Sequence, residues 1–384
     1  MKKIYFLFIS LFAISSIQAQ DCDGFRYLND IATSTTMTTV KFGDNTNTAG
    51  NAQELFMDIY TPDGDTETNR PAIVFTFGGS FIGGSRGAVA DWCQRFAKRG
   101  YVTAAIDYRL YSLTQGIPDS LAMLEVVVQA VADMKGAVRH LRKTVAEDSN
   151  PYGIDPDRIY AGGESAGALV ALHAAYIRPT STTVHSYVQD FIDTNGGIHG
   201  DTEINGDPNS AYSSDIGAVV SYAGALHRAE YIEGADAPPV VSLHGDADGT
   251  VPYGWDFARV SIFDIITVQG SSYVHTQAQA QGVASELYTI PGGDHGDAFA
   301  NNTHTAAFDV LSMNFLHDEA TCKIDTPVDD LEDISHSVSI YPNPSSENTM
   351  LVIDQIIDNY SLNIVDAMGR EVRSMTGLSD NILQ

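Results

Sequence analysis

One short motif in the sequence has the residue types and spacing for nucleophilic catalysis. Residues 163–167 read Gly-Glu-Ser-Ala-Gly, directly after an apolar run at 158–162 and directly before a run of good helix formers at 168–174. A G-x-S-x-G pattern between a strand and a helix is typical of a sharp turn that exposes the serine hydroxyl above a sheet. The start of the helix adds positive partial charge where an oxyanion would form. Ser165 is therefore the candidate nucleophile, and a structural glycine-rich turn is the alternative.

A serine hydroxyl needs a base to take its proton, and an acid must orient that base. Of the 11 histidines, His295 follows an apolar run at 286–290 and lies between glycines in the segment 291–296, which reads Pro-Gly-Gly-Asp-His-Gly. His304 is the rival, but it lies in a helical pattern at 302–316 that is typical of an exposed histidine. We expect His295 to be the base.

The acid is expected in the loop 244–252, which reads His-Gly-Asp-Ala-Asp-Gly-Thr-Val-Pro and follows an apolar run at 240–244. A chain order of serine, acid and histidine requires it there. Asp246 and Asp248 compete for the role. Asp248 precedes a glycine and is favoured, whereas Asp246 can cap the turn through its own backbone, so the choice stays open. His244 is expected to support the loop.

Acyl transfer also needs hydrogen-bond donors aimed at the developing oxyanion. Residues 78–81, Gly-Gly-Ser-Phe, follow an apolar run at 72–77 and suit that task. The backbone N–H of Gly79 or Ser80 would act together with that of Ala166, the residue after the candidate nucleophile. A phosphate-binding loop is the alternative, but this turn has no G-x-x-x-x-G-K-[ST] or G-x-G-x-x-G pattern.

Aromatic residues beside these segments are candidates for substrate contact. Phe81 ends the candidate oxyanion loop, and Tyr253 and Trp255 follow the acid loop. Tyr253 and Trp255 suit an acyl or aromatic subsite, and closing the core is an equal alternative for both. No acidic run has the glycine and terminal glutamate of an EF-hand loop, so no metal site is expected.

Short apolar runs alternate with helical patterns between residues 55 and 316, which is typical of a parallel sheet with crossover helices. The predicted strands are 55–60, 72–77, 102–106, 158–162, 216–222, 240–244 and 286–290. The clearest helix is predicted over 121–145, where apolar residues recur at steps of three and four. The segment 178–215 is polar and long for a connection, so we expect an insertion near the rim of the site.

Composition limits the possible classes of protein. The 384 residues are enough for more than one domain, and a hydrophobic content of 43% is too high for a disordered chain. The net charge of −28 disfavours nucleic acids and anionic membranes as partners, because both are bound by clustered lysine and arginine. Cys22, Cys93 and Cys322 allow one disulfide and one free thiol, and the pairing stays open.

The two ends of the chain differ from its centre. Residues 1–20 combine two lysines with an apolar run and predict a secretory signal peptide, and no later run is long and apolar enough to cross a bilayer. A catalytic domain is expected at 21–323. The segment 324–337 carries five acidic residues and no Lys or Arg, which is typical of a solvated linker. Short alternating runs within 338–384 predict a small all-β domain.

The motifs together resemble those of the α/β-hydrolase superfamily. They are residues 78–81, 107–110 (Asp-Tyr-Arg-Leu), 163–167, 244–252 and 293–296. Within the superfamily they are similar to carboxylesterase and lipase-like enzymes with an H-G-G-G oxyanion motif and a G-E-S-A-G elbow, a group that includes secreted feruloyl and acetyl-xylan esterases. The resemblance implies a mostly parallel sheet with helices on both faces, a triad of Ser165, Asp248 and His295, and no cofactor.

One departure from that pattern concerns the oxyanion loop. Phe77 stands where the family has the leading histidine, and Ser80 stands at the third glycine position. The backbone donors survive both changes. A side-chain hydrogen bond that steadies the loop is lost.

The end of the chain resembles the C-terminal sorting domain of the type IX secretion system of Bacteroidetes-like bacteria. The similar segments are 339–345, Ser-Ile-Tyr-Pro-Asn-Pro-Ser, and 365–372, Val-Asp-Ala-Met-Gly-Arg-Glu-Val. The resemblance implies the type IX machinery as a partner. A further strand with a G-x-Y pattern is missing from the match, so we expect an incomplete domain. A small adhesive or carbohydrate-binding β-sandwich is the alternative.

These residues predict a secreted serine carboxylic ester hydrolase that acts on short acyl esters or on esters linked to plant polysaccharides. Two alternatives use the same chemistry. A polyester depolymerase would be favoured by an open groove lined by Tyr253 and Trp255, and a serine peptidase would use the same triad on amides. A non-catalytic binding module is disfavoured, because all three triad residue types occur in order.

Overall fold

The computed structural model describes residues 22, 24–197, 199–200, 211–300 and 302–322, and the strands 338–341, 350–353, 360–365, 371–378 and 382–383. The expected signal peptide at 1–20, the expected linker at 324–337 and residues 198 and 201–210 of the expected insertion lie outside the described residues. The chain divides into two compact units, Met1–Lys323 and Ile324–Gln384.

The first unit is built on a mostly parallel sheet of eight strands. The strands of the unit are β1 (Thr35–Thr46), β2 (Ala52–Pro62), β3 (Arg70–Thr76), β4 (Val102–Ile106), β5 (Ile154–Glu164), β6 (Val219–Tyr222), β7 (Ala225–Leu226), β8 (Val240–Gly245), β9 (Trp255–Val260), β10 (Phe263–Gly270) and β11 (Ser285–Ile290). The large sheet has the order β1-β2-β4-β3-β5-β6-β8-β11, and a small sheet has the order β7-β10-β9. From β4 to β11 neighbouring strands run parallel, whereas β1 and β2 are antiparallel additions at one edge. The predicted α/β-hydrolase sheet is confirmed.

Helices connect the parallel strands. They are α1 (Ala90–Lys98), α2 (Ser120–Glu147), α3 (Ala166–Tyr176), α4 (Ser186–Thr194), α5 (Ser271–Ala280), α6 (Asp297–Ala300) and α7 (Asn302–Leu316). Short turns of helix occur at Arg86–Val89, Leu113–Gln115, Ala229–Tyr231 and His317–Thr321. The long helix α2 begins where the Asp119 carboxylate accepts the backbone N–H groups of Leu121 and Ala122, a standard N-cap. It contains the whole predicted helix, 121–145.

The predicted strands coincide with β2, β3, β4, β5, β6, β8 and β11, with shifts at their ends. The largest shift is in β5, which begins at Ile154 rather than at Arg158, because Ile154 pairs with Arg70 across an irregularity in the ladder. The two-residue strand β7 was not predicted, and neither were the longer strands β1, β9 and β10. The residues of these longer strands are largely exposed or half-buried, so they lack the continuous apolar run that marks a buried strand.

A disulfide joins Cys22 to Cys322 and so connects the two ends of the first unit, 300 residues apart in the chain. Cys93 is a buried free thiol, and burial raises its pKa. The structure thus settles the pairing that the sequence left open. In the described residues, no helix has the length and apolar character that a membrane span requires.

The second unit is all β in its described residues. Its strands are β12 (Val338–Tyr341), β13 (Met350–Ile353), β14 (Tyr360–Val365), β15 (Glu371–Leu378) and β16 (Ile382–Leu383). They form a three-stranded sheet, β12-β13-β16, and a two-stranded sheet, β14-β15, both antiparallel. This agrees with the small all-β domain expected from the alternating pattern.

Candidate active site

Four loops meet at one edge of the sheet. The loop 78–81 follows β3, Ser165 follows β5, Asp248 follows β8 and His295 follows β11. These strands are parallel, so their carboxyl ends lie at the same edge, where sites form in open α/β sheets. The topology therefore gathers residues that are 130 positions apart in the chain.

Ser165, His295 and Asp248 form one hydrogen-bonded relay. The His295 Nε2 atom lies 2.8 Å from Ser165 Oγ, and the His295 Nδ1 atom lies 2.6 Å from Asp248 Oδ2. The Asp248 side chain is fully buried, whereas 17% of the His295 side chain is exposed. If Nδ1–H donates to Asp248, then Nε2 is free to accept the serine proton, which is the arrangement that base-assisted attack requires.

The backbone at Ser165 is strained, with φ +50° and ψ −122°. The two glycines of the motif make this turn possible. A Cβ on Gly163 would lie 2.4 Å from the carbonyl carbon of Gly167, and a Cβ on Gly167 would lie 2.2 Å from the carbonyl oxygen of Thr76. Both clashes are with backbone, which cannot move aside as a flexible side chain can. The glycines therefore let α3 pack close against β3 and hold the serine hydroxyl outward.

The Asp248 carboxylate is held by its own loop as well as by the histidine. Its Oδ1 atom accepts the backbone N–H groups of Thr250 at 2.8 Å and Val251 at 2.9 Å. Burial opposes its charge, but hydrogen bonds from His244 and His295 outweigh burial and hold the pKa of Asp248 well below its usual range. The carboxylate is therefore ionised at neutral pH and can stabilise a positive imidazolium.

The competing aspartate has a different neighbour. Asp246 Oδ1 accepts the backbone N–H of Gly292 at 2.6 Å, which ties the acid loop to the loop that carries His295. Asp248, not Asp246, therefore contacts the candidate base. His244 lies beside Asp248 with its Nε2 atom 3.1 Å from Asp248 Oδ2, while its Nδ1 atom lies 2.8 Å from Ser271 Oγ.

The candidate oxyanion loop lies directly against the serine. A Cβ on Gly78 would come within 3.1 Å of the Ser165 Cβ. Gly79 has φ +126°, and a Cβ there would lie 2.2 Å from the carbonyl oxygen of Gly83. Neither the backbone angle nor the space at Gly79 permits a side chain, so glycine is required at that position.

Three backbone donors are available at this point. Among the described residues, the N–H groups of Gly79 and Ser80 have no hydrogen-bond acceptor in the protein. Ala166 is the first residue of α3, so its N–H has no acceptor within the helix. These are the donors that the sequence analysis named, and each belongs to a segment that flanks Ser165.

Aromatic and acidic side chains hold the candidate oxyanion loop at the position where the H-G-G-G motif has its leading histidine. The Phe77 ring stacks on Tyr108 with the ring centroids 4.3 Å apart, and the Tyr108 hydroxyl donates to the Phe77 carbonyl at 2.7 Å. Glu164 accepts the N–H of Gly78 at 3.1 Å, and burial raises the pKa of Glu164 despite that hydrogen bond. Neither Tyr108 nor Glu164 was predicted to have a role, although Tyr108 lies in the motif 107–110 and Glu164 in the motif 163–167.

A cavity of about 450 Å³, part of it open to solvent, lies beside Ser165 and is lined by Phe81 among others. Tyr253 and Trp255, predicted to contact substrate, do not line it. The Tyr253 hydroxyl is 2.8 Å from Thr289 Oγ1, and Trp255 is 57% exposed on β9. The side chains of the β9–β10 hairpin that do reach the cavity come from later positions, such as Ala258 and Ile266.

Two other histidines, His304 and His173, have structural contacts. The His304 Nδ1 atom lies 3.3 Å from the Tyr288 hydroxyl. His173 is buried in α3, where its Nδ1 atom contacts the Leu169 carbonyl at 2.7 Å and its Nε2 atom accepts the backbone N–H of His227 at 3.0 Å. Burial lowers the pKa of His173 to about 4, so this ring is neutral at neutral pH.

Curated relatives match parts of the chain. A probable isoprenylcysteine alpha-carbonyl methylesterase of Oryza sativa subsp. japonica is 34% identical over 115 residues, which are 30% of this chain and 23% of the relative. An isoprenylcysteine alpha-carbonyl methylesterase of Arabidopsis thaliana is 24% identical over 263 residues, which are 63% of this chain and 54% of the relative. The chain thus spans between about a quarter and about a half of the length of these relatives.

Solved structures of an esterase have a similar fold. Thermogutta terrifontis esterase 2 phosphorylated by paraoxon matches with a TM-score of 0.51 and 23% identity, covering 73% of this chain and 93% of the other. The same esterase phosphoramylated by tabun matches with a TM-score of 0.51 and 22% identity, over the same shares of both chains. At this identity the likeness establishes the fold.

Two family matches divide the chain in the same order as its two units. Residues 339–382 match the secretion system C-terminal sorting domain. Residues 57–255, more than half of the chain, match the BD-FAE family. The α/β-hydrolase resemblance of the sequence is confirmed, and the chain belongs to the BD-FAE family of α/β-hydrolase esterases.

Proposed function

We propose that the protein is a secreted serine carboxylic ester hydrolase that works through an acyl-enzyme. The observation that carries the proposal is the continuous relay from Ser165 Oγ through His295 to Asp248, with contacts of 2.8 Å and 2.6 Å. Membership of an esterase family supports the same conclusion.

In the proposed mechanism, the Ser165 hydroxyl attacks the ester carbonyl while His295 Nε2 takes its proton. The new C–O bond gives a tetrahedral intermediate with a negative oxygen. His295 then gives its proton to the departing alcohol, and the C–O bond to that alcohol breaks. Water attacks the resulting acyl-serine with the same base, which releases the acid and restores the serine. Asp248, ionised and buried, keeps Nδ1 protonated throughout.

The negative oxygen would be bound by backbone N–H groups of Gly79, Ser80 and Ala166. Their lack of acceptors supports this role, because a donor that is already bonded could not stabilise a new charge. The positive end of α3 adds to the effect. Losing one such donor typically lowers kcat by about 10²- to 10³-fold.

Carboxylic esters are the proposed substrate class. The curated relatives are named as methylesterases, which supports an ester rather than an amide. Short acyl esters and esters linked to plant polysaccharides are the substrates that the sequence resemblance implies. The polyester hypothesis depended on a groove lined by Tyr253 and Trp255, and that lining is absent from the cavity at Ser165.

We also propose export from the cell. The signal-peptide pattern of residues 1–20 and the sorting-domain match at 339–382 support passage first across the inner membrane and then through the type IX machinery. Removal of residues 338–384 should leave the esterase inside the cell envelope, as an assay of culture medium against cell extract would show.

The catalytic proposal is tested by p-nitrophenyl ester hydrolysis with the wild type and Ser165→Ala. We expect the variant to lose about 10⁴-fold or more in kcat with an unchanged circular dichroism spectrum. A folded variant that keeps the full rate would show that Ser165 is not the nucleophile.

A further inference from the structure

A second cavity lies next to the one at Ser165. The cavity beside the serine, here the front chamber, has an empty volume of about 450 Å³, and its neighbour, the rear chamber, has one of about 710 Å³. Both volumes include space that is open to solvent. Met123, Val127, Leu169 and Ile266 line both chambers. The two spaces are therefore neighbours that share apolar lining residues, and the front chamber is the one that Ser165 lines.

Most of the rear-chamber wall is hydrocarbon from several elements. Helix α2 contributes Val131, helix α4 contributes Val188 and Ile192, and strand β10 contributes Val268. All four are buried. A mostly apolar wall favours an apolar occupant, because each methylene that leaves water contributes favourable free energy.

The imidazole rings of His173 and His227 also line the rear chamber, and neither ring carries a charge that could bind an occupant. His173 uses both ring nitrogens within the protein. The His227 ring contacts the Tyr187 hydroxyl at 2.8 Å and the Tyr231 hydroxyl at 2.9 Å. Burial lowers the pKa of His173 to about 4 and that of His227 to about 3, so both rings are neutral at neutral pH.

Lys135 is the cation of this wall, and its environment weakens its charge. Its Nζ atom donates to the Ile177 carbonyl at 2.8 Å. Burial, assisted by the nearby Arg139, lowers the pKa of Lys135 to about 7. An anionic chain end would therefore meet an amine that is already hydrogen-bonded and only partly charged, whereas a hydrocarbon chain end needs no partner.

The position of His295 decides which part of the ester faces the chambers. The leaving alcohol must receive its proton from His295 Nε2. His295 lines neither chamber, whereas Ser165 and Ala166 line the front chamber. The alcohol therefore lies on the His295 side of the carbonyl, and the acyl group points into the front chamber.

We propose that the front and rear chambers together bind an unbranched hydrocarbon acyl chain, so that esters of medium- and long-chain fatty acids are hydrolysed faster than the short acyl esters that the sequence resemblance implies. This inference rests on the proposed esterase function. It goes further because it names the acyl group and the elements α2, α4 and β10 that select it.

The test is kcat/KM for p-nitrophenyl acetate, butyrate, octanoate and decanoate, each below its micelle concentration. A fully buried methylene contributes about 0.8 kcal/mol, so kcat/KM should rise by up to about fourfold per methylene until the chambers are filled. Val188→Trp places a large ring in the rear chamber. It should lower kcat/KM for decanoate more than for acetate or butyrate and so abolish the advantage of decanoate over butyrate.

Asp190→Trp is the matched control, because Asp190 is exposed on the same helix. It should keep the full chain-length preference. Val131→Phe places a ring in the same chamber from α2, and it replaces Val188→Trp in the test if that variant does not fold. Equal rates for acetate and decanoate in the wild type, or an equal loss for both esters in a folded chamber variant, would overturn the proposal.

The two proposals fail in different ways. If acetate is hydrolysed by the wild type but not by Ser165→Ala, and the chain-length profile is flat, the esterase function holds and the acyl chamber is wrong. If no ester in the series is hydrolysed, the esterase function itself is wrong.

Discussion

Replacing the buried carboxylate of the relay is the most selective perturbation of the site. Asn is nearly the same shape as Asp, so Asp248→Asn can still accept the N–H groups of Thr250 and Val251 that hold the loop. The new amide N–H₂ faces His295 Nδ1, which lies 2.6 Å from the carboxylate in the wild type. A donor there favours the tautomer that carries its proton on Nε2. That tautomer cannot accept the proton of Ser165.

The expected loss in kcat is about 10⁴-fold, the size found when the acid of such a triad is changed to its amide. This corresponds to about 5.4 kcal/mol at about 1.36 kcal/mol per tenfold. The free energy of unfolding should fall by only about 1.5 to 3 kcal/mol, because one charged hydrogen-bond acceptor is lost from a buried site. A large loss of activity should therefore accompany a modest loss of stability.

Asp246→Asn is the matched control, since Asp246 contacts Gly292 and not His295. It should change kcat/KM by no more than about threefold, the range of a surface substitution. The assay is p-nitrophenyl acetate hydrolysis by both variants, with thermal unfolding followed by circular dichroism. The reasoning is refuted if Asp248→Asn keeps a tenth of the wild-type rate or more, or if Asp246→Asn shows the larger loss.

Three further predictions follow from the described contacts. Gly79→Ala should lower kcat by about 10²-fold or more, because the new Cβ would lie 2.2 Å from the Gly83 carbonyl oxygen. Gly83→Ala is the control, because there is open space around Gly83, and kcat for ester hydrolysis should stay unchanged in this variant. The free energy of unfolding, measured with denaturant, should fall by about 2 to 5 kcal/mol in Cys22→Ser, in Cys322→Ser and in the double variant. The three losses should be equal, because each variant breaks the same disulfide. Unequal losses would argue against the pairing of Cys22 with Cys322. Burial opposes the charge of Asp65, but hydrogen bonds from two arginines lower its pKa. Its folded pKa lies below the unfolded value of about 3.9, so its contribution is full above that pH and is lost as pH falls through the folded pKa. The difference in melting temperature between wild type and Asp65→Asn should therefore shrink on acidification below about pH 4, and a constant difference would contradict this.

Local motifs predicted the parts of the molecule that depend on neighbouring residues. The strained turn at Ser165 is encoded within residues 163–167, because only glycines fit beside it. The apolar runs of the parallel strands were equally local, since strands buried on both faces read as continuous hydrophobic segments. For the same reason the loops at their carboxyl ends were located correctly along the chain.

Features that depend on contacts between residues far apart in the chain could not be predicted from the sequence. The choice between Asp246 and Asp248 turns on which carboxylate reaches His295, and that distance depends on how β8 and β11 pair. The disulfide joins residues 300 positions apart, so spacing could not identify it. Trp255 resembled a subsite residue because it follows the acid loop, but the antiparallel pairing of β9 with β10 leaves it exposed.

The rear chamber shows the same limit. Its apolar residues on α2 belong to the clearest helical pattern in the sequence, which is predicted over 121–145. Most of them are buried, but part of this helix face lines a cavity rather than packing against another side chain. Periodicity identifies which face of a helix leaves water, but not whether protein atoms or an empty space lies opposite.

The most direct test of the central claim is mass-spectrometric mapping of a fluorophosphonate adduct on the full-length protein, with residual esterase activity measured in parallel. We predict one adduct, on Ser165, whose formation tracks the loss of activity and is strongly slowed in His295→Ala. An adduct on another residue, or full ester hydrolysis after Ser165 has been completely modified, would contradict the account.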